Sequence, residues 1–386
     1  MASADPLFLP AGTVFAPDDL IFYADRGRRS LDQALADADL LVSCPHSGAA
    51  IPEELGEFLA PEFTRRLQFD FTDCSTSPVV RRWAEIDPRI VYVENPHPRM
   101  VRDPNRARPE DLYATLREAF ARVRAAGPGN RADLSGVDAI RPVTFSFYPL
   151  LREPADDAGL HRLADTFAEV ASRGLDVYER TRDDLIERMV ALAFERAEKS
   201  TGPVEFTTLS FHDTMNHTTT RDGAVNVERA AADRLPDVVA LSNRGDDRGE
   251  PRKAQSGEPR KAQSGEPRGD NPVSMAPQAV RALAQAHRVG FEVADPAAVM
   301  LNQPYLGSHE IITAGARFRE LGPQADAAGV ALGAVQAEFR REFLLGPDLT
   351  TELMRPGVGW PQPDADRVDM LAHACKASWD GYRSRR

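Results

Sequence analysis

With 386 residues, the chain is long enough for one large α/β domain or two smaller ones. A composition of 42% hydrophobic and 27% charged residues is ordinary for a globular protein, and a net charge of −12 argues against nucleic acid as a partner and favours small molecules. The three cysteines, Cys44, Cys74 and Cys375, provide neither a disulfide framework nor a CxxC metal site, which fits a reducing compartment. The chain has no signal-peptide pattern and no apolar run of about 18 residues, so we expect a cytoplasmic protein without membrane contact.

The first strong element is the apolar run Leu40–Val42, which predicts a strand buried on both faces. A short helix near Leu31–Ala36 precedes it, and Pro45 breaks it. His46 follows at the expected strand end, where ligands of open α/β sheets bind. Neutral imidazole suits metal ligation or proton transfer there. The alternative is a histidine that only hydrogen-bonds the loop.

Helices and strands alternate along the rest of the chain. We expect helices over Pro78–Ile86, Pro109–Ala125 with its proline in the first turn, Asp157–Lys199 divided near Gly174, Pro277–His287 and Asp364–Arg383, with a helix or a pair of turns over Glu53–Leu67. We expect strands over Arg89–Val93, Val204–Phe211, Asp237–Leu241, Phe291–Ala294 and Val330–Phe339. This order predicts a three-layer α/β/α fold with a mixed, mostly parallel central sheet. No linker divides the chain, so we interpret 1–386 as a single domain.

A tandem repeat, GEPRKAQS twice and then GEPR, occupies Gly249–Arg268. Its proline, glycine and charged residues cannot bury an apolar face, so the sequence predicts a mobile surface loop inserted in the domain. The alternative is a basic docking arm, because each full unit carries one net positive charge.

Two histidines end predicted strands, His46 and His212, and a catalytic metal site of two histidines needs a carboxylate as its third ligand. The segment between Gln68 and Thr76 offers Asp70 and Asp73. Either aspartate could instead cap the following helix.

The stretch Arg99–Arg106 places three arginines beside Asp103 and Asn105. The planar guanidinium group holds carboxylates through two hydrogen bonds, and a neighbouring aspartate can fix its rotamer. A solvated surface loop is the alternative. Glu338 lies inside a strand pattern, where a carboxylate needs a partner; it could pair with Arg340 or Arg341, or face water at a metal.

These residues together resemble the N-formylglutamate amidohydrolase family of zinc-carboxypeptidase-like hydrolases. The matching motifs come in the family's order and span Leu40 to about Leu345: Pro45-His46-Ser47-Gly48, Arg99-x-Val101-x-Asp103-x-Asn105-Arg106, His212-Asp213-Thr214-Met215, Asn302-x-Pro304-Tyr305-x-Gly307 and Gln336-x-Glu338-x-x-Arg341. Three positions depart from the family pattern: Ala49 stands where carboxypeptidases proper have a ligand glutamate, Ser210-Phe211 precede His212, and Ser308-His309 follow Gly307.

The resemblance implies a zinc-dependent hydrolase that cleaves the amide bond of a small N-formyl or N-acyl amino acid. It implies zinc bound by His46, His212 and an aspartate, for which Asp73 fits best and Asp70 stays possible. Glu338 would be the general base. The implied substrate-binding residues are Arg99, Asn105, Arg106, Asn302, Tyr305 and His309. The same machinery acting on another N-acyl amino acid, which His309 would favour, and an inactive carboxylate-binding protein remain as alternatives.

The repeat gives a first testable prediction. Deleting Gly257–Ser264, one unit of eight residues, should leave activity and melting temperature nearly unchanged, because a loop without packing contacts contributes little to stability. Thermal unfolding and a hydrolysis assay on the deleted and parent chains measure both. A large loss of either would show that the segment packs on the domain or covers its active site.

Overall fold

A seven-stranded sheet organises the computed structural model, which describes residues 5–252 and 272–385. The strands of the described chain are β1 Phe8–Leu9, β2 Ile21–Phe22, β3 Leu40–Cys44, β4 Ile51–Pro52, β5 Ile90–Glu94, β6 Val204–Thr214, β7 His217–Thr219, β8 Val225–Glu228, β9 Val239–Ser242, β10 Val299–Leu301 and β11 Val330–Arg340.

Helices fill most of the remaining sequence. The α-helices of the described chain are α1 Pro17–Leu20, α2 Leu31–Asp37, α3 Arg65–Asp70, α4 Thr76–Ile86, α5 Leu112–Ala126, α6 Asp157–Arg173, α7 Leu175–Lys199, α8 Pro277–Gly290, α9 His309–Glu320, α10 Gly322–Ala328, α11 Arg341–Leu345, α12 Pro347–Leu353 and α13 Ala365–Arg383. Three short 3-10 helices cover Glu53–Phe58, Ala231–Asp233 and Pro296–Ala298. Among the described residues, no helix is both long and apolar enough to cross a membrane.

The central sheet is mixed and mostly parallel. Its strand order is β10-β9-β11-β6-β3-β5-β2. Four neighbouring pairs are parallel, and the β9–β11 and β2–β5 pairs are antiparallel. The hairpin β7–β8 and the pair β1–β4 lie apart from this sheet. All five residues of β3 are buried, as expected for a central strand covered on both faces.

Two hydrophobic cores lie on opposite faces of the sheet. Alternate residues of one strand belong to different cores: Leu41 faces the core that includes α2, α6 and α7, whereas Val42 faces the core that includes α4, α8 and α13. Long helices cover both faces, with α13 packed against α4 and α8. The predicted three-layer α/β/α fold is therefore confirmed.

Parallel strands bring their carboxyl ends to one edge of the sheet, and the register there is specific. Ser43 of β3 is paired with Ser210 of β6, and His212 of β6 is paired with Glu338 of β11. His46 follows β3 by two residues. Side chains from three neighbouring strands therefore converge at this edge, in agreement with the general location of ligand sites in such sheets.

Several sequence-based boundaries were wrong. The expected strand Phe291–Ala294 is absent from the described structure: Phe291 ends α8, with its N–H donated to the His287 carbonyl, and Glu292 has a positive φ of 53° that breaks an extended chain. Pro109 is not in a first helical turn, because α5 begins at Leu112 with Asp111 as its N-cap. The strand that carries His212 continues to Thr214, so this histidine lies within β6 rather than in a turn.

The division of Asp157–Lys199 at Gly174 is confirmed, since α6 ends at Arg173 and α7 begins at Leu175. Most of the repeat, 253–268, lies outside the described residues, so the predicted loop there stays a prediction.

Candidate active site

Three buried side chains converge at the carboxyl edge of the sheet. His46, Asp73 and His212 each offer one ligand atom, and these atoms lie within 4.8 Å of one another. The Nδ1 atoms of both imidazoles face the same carboxylate oxygen, Asp73 Oδ2, at 3.2 Å from His46 and 2.8 Å from His212. The three residues are at most 3% exposed, so the group is buried.

The second nitrogen of His46 contacts an acidic partner. Asp103 Oδ1 lies 2.7 Å from His46 Nε2, and Asp103 Oδ2 accepts a hydrogen bond of 3.1 Å from Arg99. Burial by itself raises the pKa of Asp103, but the charges of Arg99, His46 and Arg106 hold it well below its usual value. An ionised carboxylate only accepts hydrogen bonds, so Nε2 of His46 is the donor in this contact, and in the neutral imidazole it is Nδ1 that faces Asp73 with a lone pair.

The donor set fits a metal ion. With a neutral His46, its Nδ1 and the oxygen of Asp73 are both acceptors, and two acceptors at hydrogen-bond distance require a proton or a cation between them. Two imidazole nitrogens and a carboxylate oxygen are three of the ligands that catalytic zinc sites use. The Asp103–His46 contact is the outer carboxylate that metal-ligating histidines usually have. Within the described chain, these three residues could therefore hold a metal ion.

The structure separates the two aspartates that the sequence left open. Asp73 lies between the histidines, whereas the Asp70 carboxylate accepts a hydrogen bond from the Thr219 hydroxyl. Burial raises the pKa of Asp70. For Asp73, burial acts in the same direction, but His46, His212 and Arg99 together drive its pKa far below the usual value. The position of Asp73 makes it the third candidate ligand.

A buried ion pair positions the loop that carries Asp73. The guanidinium group of Arg341, at the start of α11, bonds the Asp213 carboxylate and donates to the carbonyls of Phe69, Asp70 and Thr72. Asp213 also accepts from the Ser75 amide at 2.9 Å. The residues on both sides of Asp73 are therefore fixed to the end of β6.

Glu338 lies beside His212, and no arginine of the described chain is among its hydrogen-bond partners. Its carboxylate accepts from the Thr214 hydroxyl at 2.7 Å and from the Gln336 amide at 2.9 Å. Burial raises its pKa, an effect that the charge of His212 partly opposes. Arg340 bonds Asp237 and Arg341 bonds Asp213, so the pairing considered from sequence does not form.

The arginine-rich loop between β5 and α5 lines the same cavity. Arg99 and Arg106 both face it, and the side-chain amide of Asn105 approaches His212 Nε2 to 3.3 Å. Arg106 donates from Nε to Asp138 at 2.8 Å, which anchors one edge of its guanidinium group. Arg102, in contrast, is turned away to Asp176 and Glu179.

The remaining predicted substrate-binding residues separate into two groups. Tyr305 and His309 line the cavity, and the Tyr305 hydroxyl accepts from Arg229 at 3.1 Å. Burial lowers the pKa of His309, assisted by the charge of Arg182. Asn302 is fully buried outside the cavity lining, where its amide bonds Asn243. The contacts of Asn302 therefore shape the loop that contains it.

The cavity has a volume of about 450 Å³ and contains residues that the sequence analysis missed. Arg229 and Gln336 line it, and Glu310 lies buried behind His212. Arg229 follows β8 outside any recognised pattern, and Glu310 reads in the sequence as an ordinary residue of the first turn of α9. Gln336 was present in a family motif, but without an assigned role.

The buried group of His46, Asp73 and His212 at the carboxyl edge of this α/β/α sheet could bind a metal ion, and ligands of such sheets bind at that edge. Residues 38–172 match the model of the N-formylglutamate amidohydrolase family, which confirms the resemblance and supports amidohydrolase activity on N-formylglutamate-like substrates. The matched segment contains His46, Asp73 and the arginine-rich loop, whereas His212 and Glu338 come later in the chain. No curated protein and no solved structure matches the chain.

The candidate ligands give a prediction on metal content. The purified protein should carry about one zinc ion per chain, and His46→Ala should lose it. Asp73→Asn should also lose most of the metal, because an amide is a poorer ligand than a carboxylate, whereas the matched change Asp70→Asn should retain it. Elemental analysis after dialysis measures the content. Full zinc content in a double variant, His46→Ala with His212→Ala, would contradict the assignment.

Proposed function

We propose that the protein hydrolyses the amide bond of a small N-formyl or N-acyl amino acid, with N-formylglutamate as the reference substrate, and releases the free amino acid and the carboxylate of the acyl group, which is formate for an N-formyl substrate. The observation that carries this proposal is the convergence of His46, Asp73 and His212 beside the buried carboxylate of Glu338 in one cavity. The family match adds the class of substrate.

We infer that the metal is zinc, held by His46, Asp73 and His212, because two imidazoles and one carboxylate suit this ion. A bound zinc ion supplies a Lewis acid that polarises the acyl oxygen and lowers the pKa of water. Asp103 orients His46, and Arg341 keeps the Asp73 loop in place.

Glu338 is the proposed general base. Its raised pKa brings the carboxylate closer to the working pH, where a group that must accept and then return a proton is most effective. Thr214 and Gln336 fix its two oxygens towards the cavity. The carboxylate takes a proton from the attacking water and later delivers it to the departing amine nitrogen, so one residue serves both halves of the reaction.

The substrate carboxylate is proposed to bind Arg106, with Arg99 and Asn105 beside it. Arg106 is held through its Nε by Asp138, so its orientation is set before the substrate arrives. Arg99 is likewise held by Asp103. Anchored arginines orient the scissile amide, because the charge-assisted contact at one end of a small molecule restricts the position of the other end.

A second candidate keeps the same chemistry and changes the substrate to another N-acyl amino acid. His309 favours it, because this side chain lines the cavity and its lowered pKa keeps the imidazole neutral. A neutral imidazole at this position would bind a polar acyl group or side chain without requiring a negative charge. Hydrolysis rates over a panel of N-formyl and N-acetyl amino acids, with and without chelator, discriminate between the two candidates.

Glu338→Gln should lower kcat by about a hundredfold or more while zinc stays bound, because the amide keeps the size of the side chain and loses the basic oxygen. Glu205→Gln is the matched control: it is a partly buried strand glutamate that also has a raised pKa, but it lies near the opposite end of β6 and bonds Thr207 and Tyr382. Steady-state kinetics and elemental analysis provide the measurements. Near-normal kcat in Glu338→Gln would mean that this carboxylate has a structural role only.

Arg106→Ala should lower kcat/KM by about tenfold to several hundredfold, because a charge-assisted contact is worth on the order of 1.5–3 kcal/mol, or more where the pocket is dry, and each decade corresponds to about 1.4 kcal/mol. Arg106→Lys should rescue it poorly, since an ammonium group cannot make the two-pronged contact. Amide analogues of the substrate's two carboxylates identify the group that is bound: for one of them, Arg106→Ala should add little further loss.

A control is needed because Arg106→Ala leaves Asp138 buried without its partner. Adding Asp138→Asn removes that unpaired charge and should restore the melting temperature without restoring kcat/KM. Recovery of activity in the double variant, or equal losses on both amide analogues, would show that Arg106 shapes the loop and does not bind the substrate charge.

A further inference from the structure

Glu310 is a buried carboxylate that the proposed reaction does not use. It lies in the first turn of α9 and is 7% exposed. The hydroxyls of Ser43 and Ser210 donate to its Oε2 at 2.9 and 2.8 Å, and the Tyr178 hydroxyl and Arg182 donate to its Oε1. Although burial disfavours its charge, Arg182 and the hydroxyl donors hold the pKa of Glu310 at about 2. It is therefore an ionised carboxylate surrounded by donors.

The register of the sheet brings both serines into contact with Glu310. Ser43 of β3 and Ser210 of β6 are paired residues on neighbouring parallel strands, so both side chains project from the same face. Both hydroxyls reach the same oxygen of Glu310. Of the two serines, Ser210 is the one that also contacts a candidate metal ligand, because its Oγ lies 3.0 Å from His212 Nε2.

The directions of these hydrogen bonds follow from the chemistry of the groups. A serine hydroxyl has one hydrogen, and an ionised carboxylate can only accept. Ser210 therefore uses its hydrogen towards Glu310, which leaves only its oxygen lone pairs for His212. Nε2 of His212 is then the donor in the 3.0 Å contact, and the Asn105 amide, 3.3 Å from the same nitrogen, would face it with its oxygen. In the neutral imidazole, the other nitrogen, Nδ1, carries the lone pair, and this is the atom that faces Asp73.

We propose that Glu310 is a positioning residue which, acting through Ser210, fixes His212 in the tautomer that directs the Nδ1 lone pair towards the metal. This inference rests on the proposed metal site. His46 reaches the same state by a direct contact with Asp103, whereas His212 uses a relay of one hydroxyl. Loss of an outer partner of a ligand histidine usually lowers metal affinity by about 10–100-fold.

The test compares two serines that bond the same carboxylate oxygen. Ser210→Ala removes the relay to His212, and Ser43→Ala removes an equivalent hydrogen bond to Glu310 and leaves the relay in place. Zinc affinity is measured on the metal-free proteins by competition with a chromophoric chelator. Ser210→Ala should bind zinc about 10–100-fold more weakly than the parent, and Ser43→Ala should stay close to it.

A spectroscopic measurement separates positioning from general stability. In the ¹⁵N-labelled, zinc-loaded parent and in Ser43→Ala, His212 should show a slowly exchanging Nε2–H signal, and in Ser210→Ala this signal should shift and exchange faster. Equal zinc affinities in the two serine variants, or an unchanged His212 signal in Ser210→Ala, would overturn the proposal. A parent that binds no zinc would instead overturn the metal site itself, so the two failures are distinguishable.

Glu310→Gln tests the carboxylate directly. The neutral amide can donate to Ser210, which would turn the serine hydrogen towards His212 and favour the wrong tautomer. We expect a loss of zinc affinity at least as large as that of Ser210→Ala, and a folded variant with parent-like affinity would overturn the role of Glu310. If the variant does not fold because Arg182 loses its buried counter-charge, the two serine variants decide the question by themselves.

Discussion

The buried pair between Arg341 and Asp213 is the interaction on which the candidate active site depends. Removing two charges from water is costly, so such a pair is stable only when nearly every donor and acceptor is satisfied. Here the guanidinium group also donates to three carbonyls of the loop that leads to Asp73. Asp213, in turn, accepts from the Ser75 amide just beyond Asp73. The pair therefore fixes the connection between α3 and α4, and with it the position of the Asp73 carboxylate.

At the same edge of the sheet, hydrogen-bond acceptors face one another. Asp73 and the Nδ1 atoms of both histidines converge, and the outer nitrogen of each histidine is directed by an acidic group: Asp103 directly for His46, and Glu310 through Ser210 for His212. Fixing both outer nitrogens as donors leaves the inner nitrogens as acceptors. This electrostatic arrangement favours a cation at the centre of the group.

Two arginine side chains on the cavity wall lie opposite in charge to these buried carboxylates. Arg99 and Arg106 are held by Asp103 and Asp138, respectively, so each arginine faces the cavity while its aspartate stays behind it. Glu338 lies beside His212, on the neighbouring strand. Two arginines, the candidate metal ligands and the carboxylate of Glu338 therefore line one cavity, which is the arrangement that the proposed amide hydrolysis would use.

The sequence by itself determined the features that local patterns encode. Apolar runs predicted the central strands and therefore the α/β/α fold, and the breaks after those runs pointed to His46 and His212. The spacing of apolar residues is less informative where a turn follows a helix. Phe291–Ala294 was mistaken for a strand because the apolar pattern does not reveal the positive φ at Glu292. Tertiary structure alone decided between Asp70 and Asp73, since both occupy one short segment and Asp73 is the one whose carboxylate lies between the two histidines. Tertiary structure also decided the position of Asn302, whose side chain bonds Asn243 and lies outside the cavity lining. Glu310 could not be found from sequence, because its serine partners lie 267 and 100 residues away and meet it only through the register of β3 with β6.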